Sequence, residues 1–142
     1  MSGRKCLFPI ACMLFILLIS LRVFASETAE KKAVETSNTW LKLIDNGQYT
    51  KSWETAAELF KKDVSKERWN QLLDVSRKPL GNVIKRNVKS TQYMTSLPGA
   101  PDGEYVVIQY ETSFENKKSA IETVTPMLDK DGKWRVSGYY IR

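Results

Sequence analysis

The chain has 142 residues, enough for one domain of ordinary size. Hydrophobic residues make up 42% and charged residues 27%, a globular composition that excludes a disordered chain. The formal net charge is +6, but Arg4, Lys5 and Arg22 fall in a segment read below as removable. Beyond residue 25, nineteen basic residues stand against sixteen acidic ones, with Lys and Glu interspersed, which argues against a nucleic-acid footprint.

The chain begins as an address label. Arg4 and Lys5 form a short positive region, and Leu7 to Leu21 is an apolar run. Val23-Phe24-Ala25 places residues suited to a signal peptidase at the −3 and −1 positions. The expected cleavage lies between Ala25 and Ser26, so that residues 1–25 are a signal peptide and 26–142 one exported domain, periplasmic or extracellular. The apolar run is shorter than the ~20 residues of a spanning helix, so no stable membrane insertion is expected after cleavage. Both cysteines, Cys6 and Cys12, lie in the leader, and there is no histidine. A disulfide, a thiol nucleophile, a Cys/His zinc site and a Ser-His-Asp triad are thereby excluded from the mature domain, and no cofactor or metal is expected.

Ser26 to Lys32 is polar and reads as a frayed start. Ala33, Ser37, Trp40, Leu41 and Ile44 then recur at helical spacing until Asn46-Gly47 ends the run. Thr50 can cap a second helix with Trp53, Ala56, Ala57 and Phe60 on its buried stripe. Ser65 can cap a third, with Trp69, Leu72 and Leu73, which Pro79-Leu80-Gly81 stops. Asn82 to Met94 alternates as a first strand, with Ile84, Arg86 and Val88 on one side, and Ser96 to Gly103 is a loop. Glu104 to Arg142 reads as three long antiparallel strands. Two-residue turns at Asn116-Lys117 and Asp131-Gly132 pair residues whose numbers sum to 233 and 263. One face then holds Val106, Ile108, Tyr110, Thr112 and Phe114 with Thr123, Val136 and Tyr140, and the helices should cover it. Glu111 and Glu122 would face each other on the wet side, and a bulge or bend is expected at Pro126.

The fold class is therefore α+β: three N-terminal helices packed on a curved four-stranded antiparallel sheet. That order resembles the NTF2-like cone. A closer resemblance rests on Trp40-Leu41-Lys42-Leu43-Ile44-Asp45-Asn46-Gly47-Gln48-Tyr49, Arg77-Lys78-Pro79-Leu80-Gly81, Leu97-Pro98-Gly99-Ala100-Pro101-Asp102-Gly103-Glu104-Tyr105 and Trp134-Arg135-Val136-Ser137-Gly138-Tyr139-Tyr140-Ile141-Arg142. These are similar to the exported bacterial family called domain of unknown function 4019. The resemblance implies a small secreted or periplasmic domain and brings no catalytic residue.

Arg86, on the covered side of the first strand, needs a partner. A helix acid such as Glu58 or Asp74 would serve. Alternatively Arg86 holds an anion at the floor of a ligand pocket lined by Trp53, Tyr110, Thr123 and Tyr140. Asp129-Lys130-Asp131-Gly132 resembles the start of a calcium loop, but Tyr140 stands where the bidentate glutamate belongs, so a hairpin turn is expected. The leading functional expectation is a non-catalytic module for an unknown small molecule or envelope protein. The alternative is an isomerase- or dehydratase-type enzyme with a tyrosine-lined pocket and a base such as Glu54 or Glu58. A homodimer through the sheet is a third option.

Overall fold

The computed structural model describes the backbone of residues 9–142 and the side chains of residues 25–142. Arg4, Lys5 and Cys6, and the side chains of Cys12 and of the apolar run up to Leu21, lie outside the described residues. Helix α1 runs from Pro9 to Asp45, so the Ala25–Ser26 bond falls inside it. Ser26 to Lys32 is helical rather than frayed. Ala29 and Ala33 pack into the core, and Glu30 accepts a hydrogen bond from Thr91 Oγ1 at 2.6 Å. Among the residues with described side chains, no helix is long and apolar enough to cross a membrane.

Gly47 stops α1 after Asp45: its φ of +69° lets Gln48 N reach back to Leu43 O at 2.8 Å. The expected second helix is two short ones, α2 (Tyr49–Glu54) and α3 (Glu58–Asp63). Thr50 lies inside α2 rather than capping it. The break is tertiary in origin. Ala56 and Ala57 are wholly buried, and Ala57 N donates to Val136 O at 2.8 Å, a bond to the sheet in place of one within a helix. α4 (Lys66–Ser76) has the expected cap, Ser65 Oγ accepting from Arg68 N at 3.2 Å. A 3₁₀ turn at Lys78–Leu80 leads into the sheet.

The sheet is antiparallel and follows chain order: β1 (Val83–Met94), β2 (Tyr105–Phe114), β3 (Lys117–Leu128) and β4 (Trp134–Ile141). Two register details differ from the expectation. The β2–β3 turn is Glu115-Asn116, closed by the Phe114–Lys117 pair, and an extra residue in β3 then brings Thr112 opposite Ala120 and Tyr110 opposite Glu122. The expected pairing was one residue out, which turns all of β3 over. Between β3 and β4 the expected register holds for Glu122–Ile141 through Thr125–Gly138, then slips by one at Pro126–Val136. This is the irregularity anticipated at Pro126, and Ser137 is its extra residue. Two further bulges interrupt β1, at Ile84 and Lys89.

The helix-covered face therefore carries Val106, Ile108, Tyr110, Thr112 and Phe114 with Ala120, Glu122 and Val124 and with Tyr139 and Val136. The three helix tryptophans anchor it. Trp40 and Trp69 lie 5.9 Å apart, and Tyr139 meets Trp40 edge-on at 5.4 Å. Buried Ser52 links them: its carbonyl accepts from Trp40 Nε1 at 2.8 Å and its hydroxyl from Trp69 Nε1 at 2.9 Å. In the β3–β4 turn, Arg135 bonds Asp129 (2.9 Å) and Asp131 (2.7 Å), so the acids of the calcium-loop reading are engaged by a guanidinium.

Candidate functional site

Two arginines and two carboxylates meet between α1, α4 and the sheet. Asp45 is the last residue of α1, an end where the helix dipole is unfavourable to a negative charge. Cations must compensate, and two converge on it. Arg86 reaches from β1, its Nη1 2.7 Å from Asp45 Oδ2 and its Nη2 2.9 Å from Oδ1. Arg77, at the C-cap of α4, places Nη2 3.1 Å from Asp45 Oδ1. Its Nη1 donates to Gly81 O at 2.7 Å, and its guanidinium lies 4.6 Å from the centre of the Phe114 ring.

The other side of Arg86 holds Glu122. Nε donates to Oε2 at 2.6 Å and Nη2 to Oε1 at 3.1 Å. Thr112 Oγ1 donates to Oε2, and Tyr139 OH to Oε1 at 2.7 Å. Glu122 has no exposed surface. Arg86 thus grips two carboxylates bidentately, the geometry at which a guanidinium fork is strongest. Burial alone would lower the Arg86 pKa, but Asp45 and Glu122 outweigh it and raise it, so the charge is held. Burial, reinforced by Glu122, pushes the Tyr139 hydroxyl well above its ordinary value, and burial pushes Tyr110 up to about 12. Both stay protonated donors at neutral pH. The four charges cancel.

The proposed pocket residues do not come together. Arg86 and Tyr110 are on the covered face, with Tyr110 OH 3.1 Å from Asn38 Oδ1. Trp53 lies on α2 and donates to Val64 O at 2.7 Å. Thr123 and Tyr140 point away from the helices, because of the one-residue register shift in β3 and its pairing to β4. Tyr140 is 52% exposed, while Thr123 is buried with no partner for its hydroxyl. Glu111 and Glu122 do not face each other. Glu111 pairs with Ile121 and is bridged by Lys89 at 3.1 Å. The partners of Arg86 are Asp45 and Glu122 rather than Glu58 or Asp74. Of these, Asp45 had a signal in the sequence: a carboxylate in the last turn of a helix calls for a cation.

The concavities near the network are open. One, of about 360 Å³, runs beside α1 over Trp40, Leu43 and Val136, with Glu35 and Thr39 at its rim. Another, of about 320 Å³, lies over Asp45, Tyr49 and Arg77.

Residues 36–139 match the family described as "Protein of unknown function (DUF4019)". No curated protein matches the chain.

Proposed function

For a chain that belongs to the DUF4019 family, we propose the role of an exported, non-catalytic binding module with an NTF2-like arrangement of helices on one face of a sheet. The observation that carries this reading is the saturation of Glu122. It accepts four hydrogen bonds with no exposed surface, and Arg86 is spent on two carboxylates. A general base needs a free lone pair within reach of substrate, and an anion-holding arginine needs free donors. The interior serves as a clamp that joins α1 and α4 to the sheet, and contacts with a small molecule or an envelope protein belong to the surface. The leader, Arg4-Lys5 followed by the apolar run to Leu21, supports export.

The enzyme reading keeps one observation in its favour, a carboxylate 2.7 Å from a tyrosine hydroxyl at Glu122–Tyr139. Glu122 has no exposed surface, which weighs against substrate access.

The test uses protein recovered from cells that express the full chain. Osmotic shock should release it, and its mass should show a chain that starts at Ser26. Native mass spectrometry should find a ligand, carried or taken up from envelope extract, that is returned unchanged. Retention in the cytoplasm contradicts export. A ligand returned chemically altered contradicts the non-catalytic reading.

A further inference from the structure

The sheet face turned away from the helices collects features that the interior clamp does not use. Strand pairing puts Lys85 beside Ser113, Asn87 beside Glu111 and Ile121, and Ser90 beside Gln109, Thr123 and Tyr140, all on this face. The β1 bulge adds Lys89, and the start of β3 adds Lys118. Lys85, Lys89, Lys118, Glu111, Ser113 and Ile121 line a mostly polar concavity of about 460 Å³. Lys89 is neutralised by Glu111 at 3.1 Å. Lys85 and Lys118 have no acidic partner among the described residues. The groove therefore carries two free positive charges.

One strand step away, about 7 Å, stands a second and independent feature. Thr123 is buried there, its hydroxyl below the surface. Beside it Tyr140 offers a half-exposed ring.

We infer that this open face binds a linear anionic glycan. The free lysines Lys85 and Lys118 flank Ser113 near one end of the face and the Tyr140 ring stands further along it, which suits an extended charged ligand rather than a single ion. The Tyr140 ring offers the flat, amphipathic platform on which the apolar face of a sugar ring stacks. The groove's amide and hydroxyl groups, Asn87 and Ser113, suit the remaining sugar hydroxyls. The inference rests on the reading of the domain as a binding module and names its ligand class.

The experiment is a titration of the protein recovered after expression of the full chain, followed by amide NMR, with hexagalacturonate as probe. Neutral maltohexaose and a dT hexamer are the comparison arms. Shifts are expected at residues 85–89, 111–113, 118–125 and 138–140, with maltohexaose and dT hexamer weaker. Lys85→Gln/Lys118→Gln should weaken binding by about tenfold, the scale of one charge-assisted hydrogen bond, and flatten its salt dependence. Tyr140→Ala should weaken it while leaving salt dependence unchanged. Lys31→Gln/Lys32→Gln, which removes the same charge from the exposed surface of α1, outside the groove lining, should leave affinity within about twofold, because solvent screens exposed charges that do not touch the ligand. The inference is overturned if the α1 pair weakens binding as much as the groove pair, if either comparison arm binds as tightly, or if no shifts occur. Shifts confined to the groove over Trp40 and Leu43 overturn this face but not the binding module. Cleavage of the hexamer overturns the module but not the face.

Discussion

Glu122 and Ser52 show how single polar side chains organise this interior. Each is fully buried, and each ties together elements distant in sequence. Ser52 is the smaller case. Its hydroxyl accepts from Trp69 Nε1 and donates to Tyr49 O at 2.7 Å. Ser52→Ala leaves a buried indole N–H without an acceptor, which should cost about 1–3 kcal/mol in urea denaturation. A cost near zero would mean that the Trp69 ring finds another acceptor. Arg86 illustrates how far the sequence could be read. That it lies on the covered side and needs a partner follows from alternation alone. That the partner is two carboxylates, and not a bound anion, depends on residues 41 and 36 positions away, at Asp45 and Glu122. No local pattern encodes that distance.

The elements were legible where their signals are local. Gly47 closes α1, Ser65 caps α4, and the bulge at Pro126 follows from the missing proline N–H. Where the deciding contact is tertiary, the sequence misleads. A continuous stripe from Trp53 to Phe60 suggests one helix, but Ala57 N bonds the carbonyl that the β4 bulge leaves free at Val136. Ala57→Leu should therefore lower the melting temperature through overpacking worth about 1–3 kcal/mol. An unchanged melting temperature would show that the α2–α3 break can absorb the added volume. The β3 register failed for a different reason. Ala120, Glu122, Val124 and Pro126 on one side, and Ile121, Thr123, Thr125 and Met127 on the other, are both mixtures of apolar and polar residues. Hydrophobicity alone could not choose the face, and the bulge after Lys117 decided it. That one residue moved Thr123 and Tyr140 from an expected pocket to the open face.

At the scale of the whole molecule, helices and sheet are joined by an electrically neutral clamp inside an aromatic core, and pH probes the pair of tyrosines beside it. Burial lifts Tyr110 to about 12, above an ordinary value of 10.0. The folded state thus keeps its proton where the unfolded chain loses it. The associated stability is fully present below pH 10 and is lost as pH rises through about 12. Urea midpoints measured across that window should fall more steeply for the parent than for Tyr110→Phe; parallel profiles would contradict this. The clamp itself is the central claim. Buried ion networks gain little over apolar packing, but removing one member strands the others. Charges kept for catalysis behave oppositely, because their removal relieves strain and commonly stabilises. Urea denaturation of Glu122→Gln distinguishes the two most directly. A structural clamp predicts a loss of roughly 3–5 kcal/mol, with Arg86→Met/Glu122→Leu costing less than the sum of its single changes. Glu122→Gln as stable as the parent, or more stable, would contradict the account and restore Glu122 as a functional acid.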